Sequence, residues 1–120
     1  MNNKRRGTEF ERQMCDILAK KGYWVHFIVP DARGAQPFDI IACRDGRPVA
    51  IDCKTSSTHR FNSRRIENNQ HMAFCRWREC GNGDPLLAVK YERGIYLIPY
   101  SLILDEKVVD LDEINVWEEV

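Results

Sequence analysis

The dipeptide Asp45-Gly46 is the feature that most limits how this chain can fold. It lies between two strand-like runs, residues 38–43 and 48–54. Asp-Gly in such a position favours a two-residue turn, the tightest connection of a β-hairpin. The turn fixes which residues face each other, because a slip of one position would move every side chain to the other face of the sheet. The sequence therefore predicts a hairpin in which Asp39 lies directly opposite Asp52.

Two facing aspartates inside a hairpin indicate a bound cation. Directly opposed Cβ atoms are about 4.5–5.5 Å apart, and at an effective dielectric of 20 two like charges at that distance repel by roughly 3 kcal/mol. Lys54 shares their face, because side chains alternate along a strand. Ligands that are all oxygen favour Mg²⁺, with Mn²⁺ as a substitute, over zinc. The alternatives are a register shifted by one residue or a wet sheet edge with both aspartates in solvent.

A helix predicted for residues 8–21 carries a third carboxylate. Its apolar side chains recur at helical spacing, and Gly22 ends the pattern. Glu11 falls at the margin of the buried face, from which it could reach the two aspartates. A capping box formed by Thr8 and Glu11 would explain the same glutamate without a role in any site. Both interpretations remain open at this point.

The rest of the chain alternates between strand and helix patterns. The order α-β-β-β-α-β-β predicts an α/β protein with a mixed central sheet flanked by helices. Gln70 lies on the apolar face of the second helix, where a buried amide needs a hydrogen-bond partner. The predicted segments are a strand at 23–29, loops at 30–37 and 55–65, a second helix that begins near Ile66, a hairpin of 86–91 and 95–99, a short strand near Val108, and a helical turn between Asp112 and Trp117.

Charge is unevenly distributed along the chain, although the formal net charge is zero. Residues 1–93 carry 17 Lys and Arg against 11 Asp and Glu, whereas residues 94–120 carry 1 against 7. A basic body is typical of a nucleic-acid-binding protein, and a solvated surface with an accidental skew explains it equally well. The length of 120 residues predicts one domain over 1–120, with a basic arm at 1–6 and an acidic tail at 105–120.

The sequence also narrows the cellular setting. Apolar residues make up 43% of the chain and charged residues 30%, which excludes a disordered protein. Without a membrane-spanning run or a signal-peptide pattern, we expect a cytoplasmic protein of prokaryotic or phage origin. An odd number of cysteines predicts reduced thiols and no disulfide framework. Neither the cysteines nor the histidines show a convincing metal-ligand spacing; they are Cys15, Cys43, Cys53, Cys75, Cys80, His26, His59 and His71.

Several basic and hydroxyl side chains are candidates for contact with DNA. The segment 55–65 follows Lys54 directly and is rich in both types. Hydroxyls and guanidinium groups are the usual partners of phosphate oxygens, which position DNA without reading its sequence. A solvated loop and a disordered N-terminus are the alternatives. The candidates are Lys4, Arg5, Arg6, Arg33, Ser56, Arg60, Arg64 and Arg65.

These motifs together resemble a known nuclease family. Pro37-Phe38-Asp39 followed by Asp52-Cys53-Lys54 resembles the PD-(D/E)XK motif, with one extra residue after the proline and Asp in place of the commoner Glu. The segment Gly7-Thr8-Glu9-Phe10-Glu11 and Gln70 on the second helix are similar to features of Holliday junction resolvases, the archaeal Hjc and bacterial RecU types. The resemblance covers residues 6–99 and implies a restriction-endonuclease-like fold.

The chemistry expected of these residues is phosphodiester hydrolysis. A metal held by Asp39 and Asp52 would act as a Lewis acid, and Glu11 would complete its ligands. Lys54 would orient or help to deprotonate the attacking water, and Gln70 would orient Lys54 or that water. We therefore predict a magnesium-dependent endonuclease that cuts branched DNA in recombination and repair. The alternatives are a flap or restriction-type nuclease, or a DNA-binding module on the same fold that does not cut.

A junction resolvase is also expected to be a homodimer. Resolving a four-way junction requires two strand cuts, and a chain with one such site makes one cut at a time. A two-fold symmetric pair would hold two sites at a fixed separation. The aromatic residues around Tyr23 and Trp24, or those near Trp77, are candidates for the interface, and burial in the core is the alternative for each of them.

Overall fold

The computed structural model describes residues 3–29 and 36–120, with side chains from Thr8 onward in the first helix. The sequence folds into three α-helices and eight β-strands over these residues, together with two 3₁₀ turns. The helices are α1 Asn3–Lys20, α2 Asn68–Glu79 and α3 Tyr100–Glu106. The strands are β1 Trp24–Phe27, β2 Ile40–Arg44, β3 Arg47–Ser56, β4 Arg60–Asn62, β5 Leu86–Tyr91, β6 Gly94–Pro99, β7 Val108–Asp110 and β8 Glu118–Glu119.

Six of the strands form one mixed sheet in the order β1-β2-β3-β5-β6-β8, and β4 pairs with β7 in a second, two-stranded sheet. β3 and β5 are parallel, whereas the other neighbours in the large sheet are antiparallel. A parallel pair needs a crossover connection. Here the crossover contains β4 and α2, so it carries α2 across the sheet face on which β3 presents Asp52 and Lys54.

The predicted hairpin register is confirmed. Ile41 pairs with Ala50 and Arg44 with Arg47, as a turn at Asp45-Gly46 requires. Asp45 has a φ of 52° and Gly46 a φ of 74°, and a type I′ turn needs positive φ at both central positions. The alternative of a register shifted by one residue is therefore wrong.

Each face of the large sheet buries its own hydrophobic cluster. α1 packs Phe10, Met14 and Leu18 against Ile40 and Ile51 on one face. The opposite face packs against α2 and α3, which contribute side chains that include Phe74, Tyr100 and Ile103. Burying one such side chain contributes about 1.5–3 kcal/mol relative to leaving it exposed. The two helical layers thus fix the sheet from both sides.

The first helix starts earlier than the sequence pattern predicted. It begins at Asn3, so Thr8 lies inside it and the predicted capping box of Thr8 and Glu11 is wrong. Gly7 also lies inside this helix, where a glycine costs only about 1 kcal/mol relative to alanine. With the cap excluded, the capping explanation for Glu11 falls away.

The segment 55–65 and the acidic tail contain more regular structure than predicted. β3 continues to Ser56, and β4 with the following turn Ser63–Arg65 replaces most of the predicted loop. α3 and β8 were not predicted, because short elements leave too few residues for a periodic pattern. The strand near Val108 is confirmed as β7. Most of the predicted loop at 30–37 lies outside the described residues.

No helix in the described part of the chain combines the length and the apolar character needed to cross a membrane.

Candidate active site

Asp39 and Asp52 are both buried, with exposed fractions of 6% and 1%. Asp39 comes directly before β2, and its backbone N–H donates to the Ile51 carbonyl at 3.1 Å. Its Oδ2 atom accepts a hydrogen bond of 2.7 Å from the backbone N–H of Cys53. These two bonds hold Asp39 against β3, next to Asp52. The sequence did not point to the Cys53 amide, because every residue but proline carries one.

The two carboxylate oxygens of Asp52 differ in what they contact. Oδ1 accepts a hydrogen bond of 2.8 Å from Gln70 Nε2. Oδ2 is buried and makes no hydrogen bond with any residue in the described ranges, although Lys54 Nζ lies 3.3 Å away as an ion-pair partner. Burial and the neighbouring Asp39 raise the pKa of Asp52 well above its usual range, and Lys54 offsets part of this effect. Oδ2 therefore keeps a lone pair available for a ligand.

Gln70 connects the carboxylate to the lysine. Its Oε1 atom accepts hydrogen bonds from Lys54 Nζ at 3.2 Å and from the backbone N–H of Glu67 at 3.0 Å. The bond to Glu67 belongs to a capping box at the start of α2, which orients the amide. Gln70 is thus both a structural cap and a contact of Asp52 and Lys54. The amide therefore has the hydrogen-bond partners that its place on the apolar helix face requires.

Glu11 approaches the two aspartates from α1. Burial and, to a smaller extent, Asp39 raise its pKa from 4.5 to about 7. The carboxyl group therefore lies within electrostatic range of Asp39.

Cys53 separates the two site residues Asp52 and Lys54 along β3. Burial is the largest cause of its strongly raised pKa, and the nearby carboxylates add to the effect. The thiol is therefore protonated at neutral pH and is a poor nucleophile. All five cysteines are free, as the sequence predicted.

A separate cluster contains His59, Asp110 and Asp112. Within the described ranges it is the one group of three His, Cys, Asp or Glu residues whose ligand atoms all lie within 4.8 Å of one another. His59 Nδ1 lies 2.9 Å from Asp110 Oδ1 and 3.7 Å from Asp112 Oδ2. No pattern in the sequence was a reason to expect this cluster around His59. Sequence spacing did not show it, because pairing of β4 with β7 brings together residues 51 positions apart.

The charges of this cluster compensate one another. The hydrogen bond between His59 and Asp110 raises the pKa of the imidazole and lowers the pKa of the carboxyl. Asp110 Oδ1 also accepts a hydrogen bond of 3.0 Å from the backbone N–H of Asp112. Its ligand atoms are close enough to share a cation, but the histidine already occupies the position between the two carboxylates.

Three of the predicted DNA contacts are exposed arginines beside the site. Arg60, Arg64 and Arg65 all present their side chains to solvent. Arg65 also donates to the Thr55 carbonyl at 2.6 Å and lies over the Phe61 ring at 5.4 Å. This places a fixed guanidinium next to the end of β3.

Of the other predicted DNA contacts, one is engaged in an internal hydrogen bond, and the rest have side chains that the structure does not describe. The Ser56 hydroxyl donates to the Thr58 carbonyl at 2.6 Å, so it is engaged within the turn that follows β3. Lys4, Arg5 and Arg6 lie in α1, in the part whose side chains are not described, and Arg33 lies outside the described residues altogether.

The matching family model is that of the archaeal Holliday junction resolvase (Hjc), and it covers residues 2–116. The chain belongs to this family. The crossover junction endodeoxyribonuclease Hjc of Methanocaldococcus jannaschii is 31% identical over 110 residues, which is 91% of this chain and 77% of the relative. The structure of Hjc from Archaeoglobus fulgidus, a Holliday junction resolvase, matches with a TM-score of 0.66 at 22% identity, over 87% of this chain and 86% of that one.

These findings confirm the resemblance and the predicted fold class. The resolvase has the mixed sheet flanked by helices that the sequence predicted, and its structural relative shares this architecture. Family membership makes it an endonuclease of the junction resolvase class, with a place in DNA recombination and repair.

Proposed function

We propose that this chain, as one nuclease domain, hydrolyses phosphodiester bonds at four-way DNA junctions and that it requires Mg²⁺, with Mn²⁺ as a substitute. The observation that carries the proposal is the buried Oδ2 atom of Asp52, which has no hydrogen bond and lies beside a second buried aspartate. A buried carboxylate oxygen without a hydrogen bond is costly for folding, and the ion pair with Lys54 offsets only part of that cost. A cation shared by Asp39 and Asp52 removes that cost.

The donor set fits a hard divalent cation. Asp39, Asp52 and Glu11 offer only carboxylate oxygens, which suit Mg²⁺ and Mn²⁺. The raised pKa values of Asp52 and Glu11 are those of acids that lack a nearby counter-charge of sufficient strength. When bound, the ion supplies a Lewis acid for the charge that develops on the phosphoryl oxygens.

Lys54 is the group that handles the attacking water in this proposal. Its Nζ lies 3.3 Å from Asp52 Oδ2 and 3.2 Å from Gln70 Oε1, so two acceptors fix the direction of the ammonium group. An ammonium held in this way orients a water by hydrogen bonding and neutralises phosphate charge. Gln70 acts through Lys54 and Asp52, and is therefore a positioning residue.

DNA is held mainly through its phosphates. Arg60, Arg64 and Arg65 form the exposed part of this surface, and we assign Lys4, Arg5, Arg6, Arg33 and Ser56 to it as well. Replacing the three loop arginines with Ala should weaken binding to junction and duplex together. Each lost phosphate contact should flatten the dependence of log Kd on log salt by about one unit. An unchanged salt slope would remove this loop from the interface.

Two copies of the chain are needed to cut two strands of one junction at related positions, and we propose a two-fold symmetric homodimer. Trp24 on the edge strand β1 is 62% exposed and Met72 on α2 is 74% exposed, whereas Trp77 packs edge-on against Phe38. Exposed apolar side chains of this size suit an interface. Light scattering of Trp24→Ser and Met72→Ser should show which of the two surfaces holds the dimer together.

The test of function uses synthetic four-way junctions, flaps and plain duplex, each with Mg²⁺, with Mn²⁺ and with EDTA. We expect paired, symmetric nicks in the junction that require the metal. Asp39→Asn should still bind the junction but not cut it. Cleavage of flaps or duplex in preference to junctions would favour a flap or restriction-type nuclease. Binding without any cleavage would indicate a non-catalytic module.

A further inference from the structure

Arg65 differs from its exposed neighbour Arg64 because its guanidinium group is held in place. Its Nη1 atom donates to the Thr55 carbonyl at 2.6 Å. The group also lies 5.4 Å from the centre of the ring of Phe61, which is fully buried, and a cation–π contact at this distance is attractive. The side chain of Arg64 makes no such contact within the described ranges.

The backbone that carries Arg65 is anchored as well. Its 3₁₀ turn begins at Ser63, whose backbone N–H donates to the Lys107 carbonyl at 2.8 Å. The turn ends before Ile66, which donates to the Ser63 carbonyl at 3.1 Å and is buried in the core. The position of the guanidinium group therefore follows from the fold and not from one hydrogen bond.

The carbonyl that holds Arg65 lies on the same edge of β3 as Asp39. In a strand the N–H and C=O of one residue point to the same side, and this side alternates from residue to residue. Ile51, through its carbonyl, and Cys53, through its N–H, both bond to Asp39. Thr55 is two residues further along, so its carbonyl points to the same side. β2 begins one residue after Asp39, so in the part of the chain that the structure describes no strand pairs with this edge at Thr55.

The guanidinium group is close enough to Asp39 for both to face one DNA strand. A β-strand rises about 3.3 Å per residue, so the Thr55 carbonyl lies roughly 7–10 Å along the edge from the Cys53 N–H that holds Asp39. This span is comparable with the separation of neighbouring phosphates in one strand of DNA. A phosphate beside the cleaved one would therefore lie within reach of Arg65.

Arg65 also keeps donors available for such a phosphate. A guanidinium group has five N–H donors, and those that remain can contact two phosphate oxygens at once. Among the described residues, its side chain contacts Thr55 and Phe61, and no carboxylate lies within ion-pair distance. Glu67, the acidic residue closest to it along the chain, takes part in the capping box of α2.

We propose that Arg65 binds the phosphate next to the cleaved one in the same DNA strand and thereby positions the bond that is cut. This role rests on the proposed nuclease function. Binding energy from a part of the substrate that does not react can orient the reacting bond, so the loss of such a contact lowers the rate of cutting as well as the affinity. Arg64 adds affinity by its charge alone.

The first test compares Arg65→Met with Arg64→Met, which removes the same charge from the adjacent exposed position. Cleavage of a four-way junction is measured in single turnover at saturating DNA, and Kd is measured in EDTA. Both variants should bind about threefold more weakly. Arg65→Met should also cut about tenfold more slowly, and at least fivefold more slowly than Arg64→Met. Equal rates for the two variants would overturn the proposal.

The second test uses junctions in which one phosphate near the cut is replaced by an uncharged methylphosphonate. At one neighbour of the cleaved phosphate, this change should weaken binding of the wild-type chain in EDTA about threefold and leave binding of Arg65→Met unchanged. A purely structural role of Arg65 would leave the variant as sensitive as the wild type at every position, which would refute the contact.

Thermal unfolding shows whether the variants are folded. Arg65→Gln, whose amide can still donate to the Thr55 carbonyl, takes the place of Arg65→Met if that variant is unstable. A wild-type chain that binds junctions but fails to cut them would refute the proposed function. The methylphosphonate scan would still decide on the Arg65 contact, because binding in EDTA requires no cleavage.

Discussion

The molecule contains two acidic clusters in opposite electrostatic states. In the buried pair, desolvation and the charge of Asp39 raise the pKa of Asp52 well above its usual range. In the exposed cluster, the hydrogen bond from His59 lowers the pKa of Asp110. One pair of carboxylates is held together at a cost, and the other is stabilised by an imidazole that the chain itself provides.

The difference shows where the fold gives up stability. A cluster whose role is to join β4 to β7 gains from complete internal pairing, and the His59 cluster has it. The buried pair leaves Asp52 Oδ2 without a hydrogen bond, although a single amide side chain would satisfy it. Stability therefore does not explain the arrangement at Asp52, whereas the proposed binding of a cation would.

The largest expected effect is on the cleavage rate, which should fall when the buried pair is changed but not when the exposed cluster is changed. Asp52→Asn removes a proposed metal ligand, and several kcal/mol of lost transition-state stabilisation corresponds to a cleavage rate lower by about a thousandfold or more. Asp110→Asn should cut at the wild-type rate when DNA is saturating. Single-turnover cleavage of a labelled junction measures both. Near wild-type cutting by Asp52→Asn would remove Asp52 from the catalytic centre.

Gln70→Ala should have the next largest effect. It leaves Lys54 and Asp52 without the amide that fixes their positions, so we expect the single-turnover rate to fall about tenfold with little change in Kd. Asn68→Ala, at an exposed position two residues earlier in the first turn of α2, is the matched control. Equal losses in both variants would mean that the helix start, and not the amide, is responsible.

Glu11 should make the stability of the metal-free protein depend on pH. Its pKa is about 7 in the folded state against 4.5 as the ordinary value, so between these values the folded state binds more protons than the unfolded state. Stability should therefore fall as pH rises from about 4.5 to 7. Urea unfolding in EDTA should show a shallower fall for Glu11→Gln. A parallel pH profile for the variant would contradict this assignment.

The exposed cluster should make stability depend on pH in the opposite direction, so that the protein loses stability as pH falls into the acid range. The lowered pKa of Asp110 gives stability above the ordinary carboxyl pKa of 3.8 that is lost as pH falls through the folded-state value. Asp110→Asn should remove this loss. By loosening the segment that carries Arg60, it should also weaken DNA binding by about twofold. Unchanged binding would show that the cluster does not support the DNA surface.

The hairpin and its two aspartates were predictable because the information is local. A two-residue turn and the alternation of side chains determine the partner of every residue between Asp39 and Asp52. Gln70 was found because a polar residue on an apolar helix face requires a partner. The same reasoning located most strands and the second helix.

The other features of the fold and site depend on pairing between distant segments, which a local sequence pattern does not predict. His59 meets Asp110 only because β4 pairs with β7, and β8 reaches β6 only after the chain has passed through α3. Cys53 contacts Asp39 through its backbone N–H, and the identity of a side chain does not show which backbone groups make such contacts. For Glu11 the local pattern left a helix cap and a place in the site equally open, and the cap is excluded because α1 begins at Asn3.

The parallel pairing of β3 with β5 also affects the order in which the chain folds during its synthesis. Lys54 lies on β3, whereas Gln70 lies on the crossover helix that must close before β5 can dock. Contacts distant in sequence form late, because the entropy of loop closure is lost before they contribute. During synthesis, the hairpin with its two aspartates emerges first, and the lysine gains its orienting amide only after some 35 further residues have been added and the crossover has closed. We therefore expect the full set of contacts around Lys54 to form only after β5 has paired with β3.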